Sequence, residues 1–96
     1  MDKEMSLINR DRLIQIGIAI STFRKFRGLS QEQLAEKASV SRSLISSIEA
    51  PGIAKSFSLE VFYCIADALE ISPAKLIDAP TLLESFLNQE QSRPFG

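Results

Sequence analysis

Apolar positions along this chain recur at helical spacing, and capping residues punctuate them. From about Asn9 to Arg27, Leu13, Ile16, Ile20 and Phe23 follow one another at steps of three, four and three, one face of an amphipathic helix. Gly28 then supplies the residue type that ends a helix in left-handed backbone without steric cost. Ser30-Gln31-Glu32-Gln33 has the Ser and the Gln three residues later that make a capping box. It predicts a short second helix over 31–38 that buries Leu34, Ala35 and Ala38. Ser39-Val40 is a brief break, and Ser41 caps a third helix from Arg42 to Glu49 with Leu44, Ile45 and Ile48 as its apolar positions. Pro51-Gly52 ends it.

The pattern continues past a loop at 50–57. Ser58 caps a fourth helix, Leu59 to about Leu69, with Leu59, Phe62, Ile65, Ala66 and Leu69 along one face. Ser72-Pro73 opens a short fifth helix, Pro at its first position, completed by Lys75, Leu76 and Ile77. After the break Asp78-Ala79-Pro80, Thr81-Leu82-Leu83-Glu84 is a further capping box and opens a sixth helix to about Gln91. Ser92 to Gly96 reads as a frayed tail. No segment alternates with period two, so the expected fold class is all-α.

Composition narrows the chemistry. With 96 residues, 45% apolar and 24% charged, the chain is one globular domain's worth of sequence. It has no His, and Cys64 is its one cysteine. An internal disulfide, a zinc site of the usual ligands and a Ser-His-Asp or Cys-His catalytic group are therefore excluded. Cys64 reads as a small buried apolar residue. Fully apolar runs are only a few residues long, against the roughly 20 that a membrane span needs. The start, Met1 to Ser6, is polar and lacks a signal-peptide core, so the expected location is cytoplasmic. No cofactor and no metal is expected.

The net charge is −1, but its distribution is uneven. Residues 24–55 hold Arg24, Lys25, Arg27, Lys37, Arg42 and Lys55 against Glu32, Glu36 and Glu49. Residues 56–96 hold Lys75 and Arg93 against six carboxylates. The basic excess thus sits in the middle third of the chain, which also holds the two short helices at 31–38 and 42–49. Two such helices joined by a three-residue turn have the helix-turn-helix layout, whose second helix fits a DNA major groove about 12 Å wide. A helix used that way needs small or polar outward residues, here Arg42, Ser43, Ser46 and Ser47, and an inward anchor, here Ile45 and Ile48. An Arg at such a helix N-terminus can donate two hydrogen bonds to guanine O6 and N7. Lys55, on the loop after that helix, is placed for a phosphate.

Particular residues sharpen this into a resemblance. Ile16-Gly17 with Ile20 and Arg24, Gly28-Leu29-Ser30-Gln31-Glu32-Gln33-Leu34-Ala35, Val40-Ser41, Ile45-Ser46 and Ile48-Glu49 resemble the phage-repressor/Cro group, the Xre-type helix-turn-helix family. The likeness continues through Ser58-Leu59-Glu60 and Ile65 to Ser72, and covers about residues 13–78. It implies a five-helix lambda-repressor-like DNA-binding domain, here over residues 9–78, that acts as a transcriptional repressor or regulator, usually as a homodimer on double-stranded DNA. It further implies that Gln31 bonds a phosphate while capping the second helix. Ser41, Arg42, Ser43 and Ser47 fall where the family reads base edges, with Ser46 an exposed neighbour. Arg24 and Glu49 match a pair that ties the first helix to the end of the third.

The chain departs from the family in three ways. Ser39 stands where the family usually has Gly in the turn, which requires an unusual backbone geometry for Ser or a relaxed turn. The loop from Glu49 to Ser58 is about two residues longer than in common members, and Ala50 to Ala54 replaces a polar, basic stretch. The whole chain is slightly acidic, although a local basic face suffices for DNA.

Residues 79–96 form a C-terminal helical extension. Its apolar stripe, Leu82, Leu83, Phe86 and Leu87, packs either on Phe62 and Tyr63 or on a second subunit. A twofold dimer sets two reading helices about 34 Å apart and predicts an inverted-repeat site. Leu7, Ile8 and Ile14, outside the main stripe of the first helix, offer a second contact surface. An alternative function is an antitoxin-like or other protein-interaction module that takes a protein partner through the terminal helices. Carboxylate pairs such as Glu32 and Glu36 are ordinary surface patterning, and no enzyme is expected.

Overall fold

The computed structural model describes residues 6–78. They form α1 (Leu7–Phe26), α2 (Gln31–Ala38), α3 (Arg42–Glu49), α4 (Leu59–Ala68) and a last helix, α5, over 73–78. The fold class is all-α, with five helices among the described residues. The sixth helix expected from Thr81, its apolar stripe and the tail lie outside them. No helix among the described residues is long and apolar enough to cross a membrane.

Local chemistry sets the starts. The hydroxyls of Ser6, Ser30, Ser41 and Ser58 each accept the backbone N–H three residues on, at 3.0–3.2 Å. Each satisfies one of the donors that a helix leaves unpaired at its N-terminus. At Ser30 the box closes in both directions, because Gln33 Oε1 accepts the Ser30 N–H at 2.8 Å. The Ser6 cap explains why α1 begins at Leu7 and not near Asn9. At its other end α1 stops at Phe26, one residue short of Arg27, with Gly28 at φ 73°.

The core joins all five helices. Ile20 of α1, Leu34 of α2, Ile45 of α3, Ile65 and Leu69 at α4, and Leu76 of α5 are fully buried. Ala19, Ala35, Ala38, Ile48, Phe62 and Ala66 complete the buried set. α2 packs on both α3 and α4, and α1 packs on α3. Phe57, at the end of the 50–58 loop, stacks on Phe62 with ring centroids 6.3 Å apart and closes the core beneath that loop.

Three expectations change. The buried line of α1 is Gly17, Ala19, Ile20 and Arg24, while Leu13, Ile16 and Phe23 are half-buried at its borders. An apolar count passes over a residue with no side chain and a residue with a charge. Leu59 is 63% exposed and does not belong to the core face of α4. It lies one turn before Tyr63, also exposed, and that line points outward, whereas Phe62, Ile65, Ala66 and Leu69 point in. Cys64 is half-buried at the edge of that face, where it packs against the core.

Candidate nucleic-acid interface

α2 and α3 are joined by Ser39, Val40 and Ser41. Ser39 takes left-handed backbone, φ 57° and ψ 40°, so the turn keeps its geometry although a Cβ is present. The N–H of Val40 bonds the carbonyl of Ala35 at 3.0 Å, and the half-buried Val40 packs against the core behind the turn. Ser41 then caps α3 through its bond from the Leu44 N–H.

α3 is held from behind. Ile45 and Ile48 are buried, and Leu44 packs beside them. On its other side Arg42, Ser43 and Ser46 are exposed and Ser47 is half-buried. Arg42, Ser43 and Ser46 lie within the first five residues of the helix, so its N-terminal half faces solvent with one cation and two hydroxyls. Ser41 is exposed as well, with its hydroxyl oxygen engaged by the cap. Lys55 is exposed on the loop beyond α3, where a turn closes through the Ile53 N–H to the Ala50 carbonyl at 3.2 Å.

At its C-terminal end α3 carries Glu49, the centre of a polar cluster. Arg24 Nε donates to Glu49 Oε2 at 2.8 Å and Nη2 to Oε1 at 2.9 Å, a bidentate pair. Arg24 Nη1 donates to the Leu29 carbonyl at 2.7 Å. Gln31 Nε2 donates to Glu49 Oε1 at 3.1 Å. The two charged side chains are 10% and 3% exposed, and every buried side-chain polar atom among the described residues has a partner. One carboxylate therefore links α1, the start of α2 and the end of α3. Sequence likeness alone pairs Arg24 with Glu49; it does not bring Gln31 into the same cluster.

An open depression lies in front of this cluster, lined by Arg24, Ser30, Gln31, Glu32 and Arg42. It sits where the N-terminus of α2, with its unpaired N–H groups and positive dipole end, meets the start of α3. One N–H of Gln31 Nε2 is engaged by Glu49 and the second is free for an acceptor.

Two further residues support this arrangement, and sequence reasoning gives neither a role. Arg27 Nε donates to the Leu69 carbonyl at 2.9 Å and Nη2 to the Glu70 carbonyl at 3.2 Å. A cation thereby meets the C-terminal end of α4, whose own last turn has none. Nothing local signals a partner 42 residues away. Gly17 is buried against α3, and a Cβ built on it would overlap the carbonyl oxygen of Ile48. Here a signal exists: an isolated Gly inside a helical pattern commonly marks a packing requirement.

A family model described as a helix-turn-helix domain, of Xre-like type, matches residues 17–82, more than half of the chain. No curated protein matches. Among solved structures, the restriction-modification controller protein C.AhdI from Aeromonas hydrophila is similar, at 33% identity and TM-score 0.63, over 69% of this chain and 97% of that one. The clp gene regulator ClgR from Corynebacterium glutamicum shares 30% identity at TM-score 0.66, over 83% and 84% of the two chains. A variant of the controller protein C.Esp1396I, bound to its highest-affinity operator site, shares 26% identity at TM-score 0.65, over 79% and 95%. The capped helix pair, the outward polar half of α3 and the family match agree, and the chain belongs to the Xre-like family of helix-turn-helix DNA-binding regulators.

Proposed function

We propose that this chain is a sequence-specific double-stranded-DNA-binding transcriptional repressor that binds an inverted repeat as a homodimer, with α3 in the major groove. The observation that carries the reading is the division of α3 into two faces. One is anchored by Ile45, Ile48 and the Arg24–Glu49 pair, and the other offers Arg42, Ser43 and Ser46 to solvent. The operator complex of C.Esp1396I supports the same use of a similar fold.

In this reading Arg42 donates to O6 and N7 of a guanine. Ser43, Ser46 and Ser47 meet base edges or the neighbouring backbone, and Ser41 adds a contact beside its capping duty. Gln31 and Lys55 hold phosphates on either side of α3. The depression at the α2 N-terminus offers an anionic oxygen Arg42 and the second Gln31 N–H, with the Glu32 carboxylate also on its rim. Residues 9–78 are the DNA-binding unit, and residues 79–96 serve the dimer. Twofold symmetry then spaces the half-sites about 34 Å apart, one DNA turn.

The test is selection from random duplex DNA by the purified chain, at a salt concentration that suppresses non-specific phosphate binding. Enrichment of an inverted repeat with half-sites one turn apart is expected. A folded chain that enriches no consensus refutes the reading and favours a module that binds a protein partner.

A further inference from the structure

We infer that Gly17 is a positioning residue for DNA reading: the bare backbone it offers to Ile48 sets how far α3 stands from α1, and so where Arg42 and Ser43 meet the bases. The inference rests on the proposed function and adds what fixes the stand-off of the reading helix.

Gly17 is buried in the middle of a 20-residue helix, where Gly is less stable than Ala. The structure supplies the reason for it there. The atom that a Cβ would meet is the Ile48 carbonyl oxygen, so the obstacle is backbone and no change of rotamer clears it. That carbonyl belongs to the last turn of α3, among those without a partner further along the helix. Two turns along the same face of α1, Arg24 grips Glu49, the residue after Ile48. Both attachments of α1 thus hold the C-terminal end of α3, while the exposed N-terminal end carries the reading residues.

A methyl group at position 17 requires the end of α3 to retreat by roughly 1 Å to restore van der Waals separation. The Arg24–Glu49 bonds, now 2.8 and 2.9 Å, oppose that retreat and lengthen unless the Arg24 side chain follows it. An eight-residue helix is only about 12 Å long and moves as a body. The displacement therefore reaches Arg42 and Ser43. Base-edge hydrogen bonds tolerate a few tenths of an ångström, whereas non-specific attraction between flexible basic side chains and phosphates barely depends on such a shift.

The experiment compares Gly17→Ala with the wild-type chain for folding by circular dichroism, and for affinity to the selected duplex and to an unrelated duplex of equal length at one salt concentration. Leu76→Ala, a core truncation in α5 that leaves the α1–α3 contact alone, controls for lost stability. Both substitutions are repeated in a chain carrying Ser39→Gly, which relieves the left-handed strain at Ser39, with Ser39→Gly alone as reference. The ratio of specific to non-specific affinity is expected to fall at least tenfold in Gly17→Ala and to stay within twofold in Leu76→Ala. A folded Gly17→Ala with an unchanged ratio overturns the inference, as does an equal fall in Leu76→Ala. If Gly17→Ala is unfolded in both backgrounds, Gly17 is a folding requirement and the positioning role is wrong. A wild-type chain that enriches no consensus removes the DNA reading and this inference together, an outcome distinct from the others.

Discussion

Arg42 and Glu49 stand at opposite ends of one eight-residue helix and have opposite duties. Glu49 is withdrawn from water and tied to Arg24 and Gln31. Removing one partner of a buried pair leaves the other charge without compensation. Glu49→Ala is therefore expected to cost about 3–5 kcal/mol, as burial here is deep; the midpoint of denaturant unfolding reads it. Arg24→Met with Glu49→Leu, which removes both charges, should recover part of that loss. Arg42 is exposed and holds nothing in the fold. Arg42→Ala should leave the unfolding curve in place and remove preference at one base pair per half-site, about 1–3 kcal/mol of discrimination. Selection with the variant checks this, and an unchanged base preference takes Arg42 out of the reading set.

At the scale of elements, three helices end in the same pattern with three different residues. The N–H groups of Leu29, Val40 and Ile71 return to the carbonyls of Arg24, Ala35 and Ala66 at 3.0–3.1 Å. The residue before each takes left-handed backbone: Gly28 at φ 73°, Ser39 at 57° and Glu70 at 59°. A Cβ in that region costs about 1–2 kcal/mol. The hydrogen bonds, and Val40 and Ile71 packed against the core, hold Ser39 and Glu70 there. Ser39→Gly is expected to stabilise the chain by about 0.5–1 kcal/mol, because the larger backbone entropy of Gly offsets part of the relief. A rise in the thermal midpoint checks it. A fall would mean that the Ser39 side chain contributes something the backbone geometry does not reveal.

Across the whole molecule, a net charge of −1 conceals a cationic contribution beside α2 and α3 and an acidic remainder in residues 56–96. Under the proposed function, DNA binding then depends on a few named cations. Lys55→Ala should weaken binding to every duplex similarly and lower the slope of log affinity against log salt by about 0.9, one phosphate contact. Titrations at several salt concentrations measure it. An unchanged slope would place Lys55 in solvent and leave the apolar residues of its loop, such as the exposed Ile53, without a cationic neighbour at the DNA.

Features that span only a few residues can be read from the order of side chains. The caps at Ser30, Ser41 and Ser58 each close over three residues, so the starts of α2, α3 and α4 are legible as local chemistry. Periodicity likewise identifies Leu34, Ile45, Ile48, Ile65 and Leu69 as core, because their spacing is the helix's own. The Arg24–Glu49 pair is legible through family likeness and not through spacing. Folding sets the contacts between distant segments. Gln31 bonds Glu49 across 18 residues and Arg27 bonds the Leu69 carbonyl across 42. Folding also decides that Leu59 faces outward with Tyr63, since periodicity ranks positions by type and cannot say where the packed neighbours stop. Gly17 shows the limit most clearly. Its identity is printed in the sequence, but the reason for it is the backbone of another helix, which only the fold brings within reach.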